Sequence, residues 1–280
     1  MKRVLVTGNG RSGSYRIRAD QLGLAIGAEV IPHALPTKPY DLGIIVKRVD
    51  PRSIAALRAK RIPIVYDVVD AWPQPQGNLW ARADCMAWLR EQLKVVKPYA
   101  VVAATRAMAA DIEVVGFKGP VLALQHHARP GMALNPIRHR VEVVGYEGGV
   151  QYLGKWQPIL EAECKRRGWR FVVNPEQLAD LDIVVALREA NGYAPTAWKS
   201  NVKLANAQGS GTPFIGCREA GYRETDNGSA LWACSRAELS GAFDELTDFA
   251  MRLLVSEELR AATPRLEDVA AKYREWLEGL

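Results

Sequence analysis

Short apolar runs alternate with helical patterns twice along this chain, on either side of a single break, and this constrains the fold more than any other feature. In the first half the strand-like runs are 3–7, 29–31, 42–46, 64–68 and 100–104, with a shorter one at 121–124. Helical patterns fall between them at 17–27, 52–60, 79–96 and 106–114. Strands separated by helices predict a parallel, doubly wound sheet. The segment Arg129-Pro-Gly-Met-Ala-Leu-Asn-Pro136 then carries two prolines, a glycine and no periodicity, which marks a linker. The alternation restarts with strands at 140–145, 170–173, 183–186 and 213–216 and helices at 156–167 and 202–210. The tail is helical. Leu239, Phe243, Leu246, Ala250 and Leu253 form one stripe, and Val269, Tyr273, Trp276, Leu277 and Leu280 form a second.

A length of 280 residues suffices for two domains with their own cores. The boundaries predicted are 1–135 and 140–262, followed by a terminal helix at 263–280. No apolar run approaches the ~20 residues that span a bilayer. The first residues, Met1-Lys-Arg-Val-Leu-Val-Thr-Gly8, read as a strand and not as a signal peptide. Four scattered cysteines, with no CxxC pair and no histidine cluster, point to reduced thiols in a cytoplasmic protein and away from structural zinc.

Charge is unevenly placed. Residues 1–61 hold 12 Lys/Arg against 4 Asp/Glu, and residues 237–280 hold 5 against 10. The basic first segment favours a phosphate-bearing or otherwise anionic partner, or else is simply a solvated basic surface.

Four stretches carry chemistry. Gly8, Gly10 and Gly13 fit G-x-G-x-x-G between a strand and a helix, where glycines let backbone approach a ligand and the helix start attracts anions. The second strand ends Ile31-Pro-His33, with no acid for a ribose hydroxyl, and Tyr152-Leu-Gly-Lys155 lacks the spacing of a reductase pair. The loop is therefore read as a phosphate or acceptor loop formed by Gly10, Arg11, Ser12 and Gly13, with Arg16 and Arg18 beyond it. A tight turn without a ligand is the alternative. Arg188 follows a strongly apolar strand, at the end where open α/β sheets bind ligands. Lys199 and Lys203 are placed one helical turn apart, so that with Arg188 they converge on a leaving diphosphate, and Asn206 hydrogen-bonds a hydroxyl. Their alternative is a solvated helix ending at Gly211. Asp70, in Asp67-Val-Val-Asp-Ala-Trp-Pro73, is placed as a general base, the alternative being a cap of the next segment or an arginine's ion-pair partner. Asp67 is read as structural. His126 and His127 end the last strand before the linker; His126 is the second candidate base, and a neutral, hydrogen-bonded structural role is the alternative for the pair.

The stretch 203–213, Lys-Leu-Ala-Asn-Ala-Gln-Gly-Ser-Gly-Thr-Pro, resembles the donor-binding segment of GT-B glycosyltransferases, with Asn206 where many members carry a donor-contacting glutamate. Glu219-Ala-Gly-Tyr222 resembles the loop that follows, Gly145-Tyr-Glu-Gly-Gly149 the glycine-rich loop, and Val65-Tyr-Asp-Val-Val-Asp70 a strand of the family's first domain. The resemblance implies two Rossmann-like domains facing a cleft, with the last helix crossing back to the first domain. It also implies metal-independent sugar transfer from a UDP- or GDP-sugar, the co-substrate, with no tightly bound cofactor. Gly148, Gly149, Arg188, Lys199, Lys203 and Asn206 hold the donor in that reading. The basic first domain suits DNA with hydroxymethylated bases as acceptor, as in phage DNA-modifying transferases; a small molecule, lipid or saccharide is the other acceptor class. Two further readings are a nicotinamide-dependent oxidoreductase built on Gly8-x-Gly10-x-x-Gly13 and a non-catalytic nucleotide-binding protein.

Overall fold

A computed structural model gives the structure of the chain and describes residues 2–48, 50–70, 79–189 and 192–280. The chain divides into two compact units. One comprises Met1–His126, Asn191–Ser200 and Leu266–Leu280, the other His127–Ala190 and Asn201–Arg265.

The first unit is a six-stranded parallel sheet. Its strands are β1 (Val4–Gly8), β2 (Glu29–Val30), β3 (Leu42–Val46), β4 (Ile64–Asp67), β5 (Ala100–Ala103) and β6 (Val121–Ala123), in the order β2-β1-β3-β4-β5-β6. The central strands β3, β4 and β5 are buried at every position. Parallel sheets covered on both faces require such unbroken apolar runs. Gly8 pairs with Val46, Val46 with Asp67 and Asp67 with Val102, so the carboxyl ends of β1, β3, β4 and β5 lie level.

One face of this sheet packs under the helices Pro51–Ala59, Arg82–Val96 and Arg106–Val114. The other is covered by the segment after β1 and by the C-terminal helix Leu266–Gly279, which buries Val269, Ala270, Tyr273 and Leu277. Burial of Val269 and Leu277 contributes roughly 1.5–3 kcal/mol each. Lys2 Nζ donates to the carbonyls of Leu277 and Glu278, and Tyr99 Oη to that of Leu280, so the end of the last helix is capped by the first unit.

The second unit is a five-stranded parallel sheet of β7 (Val143–Tyr146), β8 (Arg170–Val173), β9 (Ile183–Ala186), β10 (Phe214–Gly216) and β11 (Leu231–Trp232), in the order β11-β10-β9-β7-β8. Its core runs from Val144 and Trp156 through Leu187 and Phe214 to Leu259.

Three features depart from the pattern read in the sequence. The helix after β1 is irregular: α-helical at Gly13–Tyr15 and Leu22–Ala25, it widens to a π-helix over Arg16–Gln21. The stripe from Leu239 to Leu253 is not one face. The helix Arg236–Glu245 stops, Asp248 caps a new helix at Phe249–Ala261, and Ala250 and Leu253 face outward. The inward positions there include Arg252, which donates to the carbonyls of Leu246 and Thr247 that end the preceding helix and to those of Arg138 and His139. The third departure is the segment that follows β9. Its short helix Tyr193–Ala197 belongs to the first unit, where Tyr193 Oη and Trp198 Nε1 donate to the buried Asp111 carboxylate at 2.6 and 2.8 Å.

Candidate functional site

In the second sheet the chain leaves β7 for β8 on one side and returns to β9 on the other. The loops after β7 and β9 therefore diverge at the carboxyl edge, where open α/β sheets form their ligand crevices. The loop after β7 is Glu147-Gly148-Gly149, and the residue pair after β9 is Leu187-Arg188.

Gly148 has φ +138°, a region closed to most side chains, and a Cβ there would lie 3.3 Å from Lys203 Nζ and 3.2 Å from Tyr146 Oη. Lys203, in the first turn of the helix Val202–Ser210, holds its ammonium 3.9 Å from the centre of the Tyr146 ring, a cation–π contact. Burial pushes the Tyr146 phenol up to about 12, so it stays a donor, reaching the Gly149 carbonyl at 3.4 Å. The Gly148 N–H donates to Asn174 Oδ1 at 2.7 Å.

Arg188 Nε pairs with Glu219 Oε1 at 2.7 Å, both side chains buried. Burial opposes the guanidinium charge, but Glu219 beside it outweighs that and holds Arg188 above the ordinary arginine range. Asn206 is 4% exposed. Its Oδ1 accepts from the Arg129 backbone N–H at 3.1 Å, and its Nδ2 donates to Glu147 Oε2 at 2.9 Å. Arg129 Nη2 pairs with the other Glu147 oxygen.

The structure thus brings Gly148, Gly149, Lys203 and Asn206 to one edge, with Arg188 on the neighbouring loop. Lys199 precedes the helix that starts at Val202, so the helical turn expected between it and Lys203 does not exist, and it belongs to the first unit. Glu219 and Glu147, the acids that hold Arg188 and Asn206, carry no spacing signal, because their partners lie far off in sequence, one on another loop and one on a helix.

In the first unit, Lys199 Nζ lies 3.2 Å from Asp70 Oδ2 and Lys47 Nζ 2.5 Å from Asp70 Oδ1, with all three side chains largely buried. Burial pushes the Asp70 carboxyl up, but the Lys199 and Lys47 ammoniums outweigh it and hold it below the usual carboxylate range. Lys47, the first residue after β3, and Val69, the second after β4, have φ of +57° and +63°. Left-handed backbone at a β-branched residue is uncommon and strained. Residues 71–73, which complete the aspartate motif, lie outside the described residues.

The glycine loop divides. Gly10 has φ +75° and a Cβ there would meet Pro32 at 2.8 Å, whereas Gly13 has no neighbour within 4 Å of that position. Ser12 caps the following turn by accepting from Tyr15 N. Arg11 and Arg16 are exposed, as phosphate contacts require. Arg18 is not. It is 2% exposed, sits 3.4 Å from Asp67, and donates to the Leu124 carbonyl at the end of β6. The π-turn around it directs the guanidinium inward, so Arg18 is a core ion-pair partner and leaves the surface cluster. His126 is also buried, in the first unit.

No family model matches the sequence, and no curated protein does. Solved structures do. HepE of Anabaena, in complex with UDP and glucose, is 13% identical with a TM-score of 0.69, over 100% of both chains. Sucrose-phosphate synthase of Thermosynechococcus elongatus is 11% identical with a TM-score of 0.67, over 99% of this chain and 100% of that one. A glycosyltransferase of Rickettsia africae is 9% identical with a TM-score of 0.62, over 99% and 98%. The chain has the fold of these proteins. It is the GT-B fold of glycosyltransferases, built from two Rossmann-like units.

Proposed function

We propose that the chain is a glycosyltransferase that moves a sugar from a nucleotide-sugar, UDP- or GDP-linked, to an acceptor hydroxyl. The second unit holds the donor and the first presents the acceptor. One observation carries this reading: at the switch point of the second sheet the loop after β7 presents Gly148 with Lys203 beside it, and the loop after β9 carries Arg188. Glycine backbone admits a diphosphate closely, and two cations offset the charge it gains as the anomeric C–O bond breaks. The full-length likeness to HepE, whose structures hold UDP or UDP-glucose, supports the same reading. These side chains supply the leaving-group stabilisation that other transferases draw from a metal.

Asp70 and His126 are the candidate acceptors for the hydroxyl proton. For the acceptor, the basic first segment with exposed Arg11 and Arg16 favours a phosphate-bearing molecule, DNA with hydroxymethylated bases among them. Thermal melting with UDP-, GDP- and dTDP-sugars beside NAD(P) tests the reading. A rise in Tm with a UDP- or GDP-sugar is expected, followed by slow hydrolysis of that donor. Stabilisation by NAD(P) alone replaces this reading with an oxidoreductase, and donor binding without hydrolysis or transfer replaces it with a binding protein.

A further inference from the structure

Asn206 is well placed in sequence to touch a donor, yet its side chain is already committed. Its oxygen takes the Arg129 main-chain N–H, its amide donates to Glu147, and only 4% of the residue is exposed. Of the cluster's hydrogen-bond acceptors it is the Glu147 carboxylate that reaches solvent, 24% exposed, beside the Arg129 side chain at 40%. Glu147 is the first residue after β7, at the switch point, and directly precedes Gly148. Arg129 holds one of its oxygens and Asn206 the other. A carboxylate oxygen has two acceptor positions, so one donor on each leaves the group able to accept two more hydrogen bonds.

We propose that Glu147 reads a vicinal diol of the donor, and that Asn206 and Arg129 are positioning residues that fix its carboxylate. Two adjacent hydroxyls are the donor groups that match two adjacent carboxylate oxygens with no hydrogen left to give. A nucleotide-sugar offers such a diol in its ribose and again in its hexose. The inference rests on the nucleotide-sugar reading above.

The test compares affinities of the full chain and its Glu147→Gln variant for UDP, GDP and ADP, their 2′-deoxy counterparts, and UDP-glucose, by calorimetry. Losing a charged acceptor weakens diol binding by about tenfold. If the ribose is read, Glu147→Gln loses about tenfold for the ribonucleotide and under twofold for its 2′-deoxy form, so the wild-type preference between them collapses. A merely structural role moves both equally. If the hexose is read, nucleoside diphosphates bind as before and UDP-glucose alone loses about tenfold. Unchanged affinity for all of them overturns the inference and leaves the glycosyltransferase reading standing. A wild-type chain that binds no nucleotide overturns both. Should Glu147→Gln fail to fold, Glu147→Asp keeps the charge that Arg129 pairs with, draws the oxygens back by one methylene, and is read in the same way.

Discussion

At the residue scale the charged pairs make distinct, measurable claims. Lys203 is held above the Tyr146 ring beside the Gly148 backbone. Lys203→Ala is expected to weaken nucleotide diphosphate binding by roughly 1.5–3 kcal/mol, the size of a lost charge-assisted hydrogen bond. Unchanged UDP and GDP affinity removes Lys203 from the site. Asp70 bonds two buried ammoniums, and its lowered pKa keeps it ionised while making it a weak base. Asp70→Asn removes the counter-charge of Lys47 and Lys199, so Tm falls, because breaking a buried pair from one side costs about 3–5 kcal/mol. If Asp70 is also the base, turnover at saturating substrates falls about a hundredfold while donor affinity holds. A fall in Tm with wild-type turnover assigns the proton to His126.

Glu163 makes the pH claim. Burial pushes its carboxyl up, but Arg166, Arg167 and Arg236 outweigh that and bring it down to about 2. A depressed native pKa stabilises the fold above the unfolded value, and that stability drains away as pH falls toward the native one. Glu163→Gln is therefore destabilising at pH 7, and its deficit shrinks between about pH 4.5 and 2. Melting both proteins across that range checks it; a deficit independent of pH contradicts the ion-pair account.

At the element scale, what the sequence reveals follows from what each element depends on. The strands at 42–46, 170–173 and 183–186 and the helices at 106–114, 156–167 and 202–210 lie where the apolar pattern puts them. Their burial is local and periodic, and so leaves its mark in the sequence. The two-residue strand Leu231–Trp232 and the helix Tyr193–Ala197 are too short to carry a period, and the latter is set by long-range bonds to Asp111. Lys203 and Asn206 are legible as candidates because they share one helix, and Gly148 and Gly149 because they share one loop after a strand. The place of Lys199 beside Asp70 and the burial of Arg18 depend on tertiary contacts that no spacing encodes. The last helix shows the legible kind: its stripe of Val269, Tyr273 and Leu277 closes one face of the first sheet. Truncation before Leu266 uncovers that face, and Tyr273→Ala alone should cost about 3–5 kcal/mol. Denaturant unfolding measures both. Unaltered stability of the first unit contradicts its dependence on this helix.

At the scale of the whole molecule the question is the acceptor, and charge supplies the test. The excess of Lys and Arg in residues 1–61 is solvent-facing at Arg11, Arg16, Arg48 and Arg52, whereas Arg18 is spent inside. Contacts with duplex phosphates release condensed counterions, so affinity for DNA falls with salt at a log–log slope of about −0.9 per phosphate neutralised. If DNA is the acceptor, fluorescent duplex titrated at two salt concentrations shows this steep loss. Arg11→Ala with Arg16→Ala then makes the slope shallower by about 2. The same pair leaves sugar-nucleotide affinity unchanged, because Gly148, Lys203 and Arg188 belong to the other unit. Arg18→Ala is the internal control. It strips Asp67 of its partner and lowers Tm, and the salt slope stays at the wild-type value because Arg18 reaches no phosphate. A small-molecule or glycan acceptor predicts no duplex binding even at low salt and turnover that responds little to ionic strength. That result removes DNA as the acceptor and leaves the donor site as proposed.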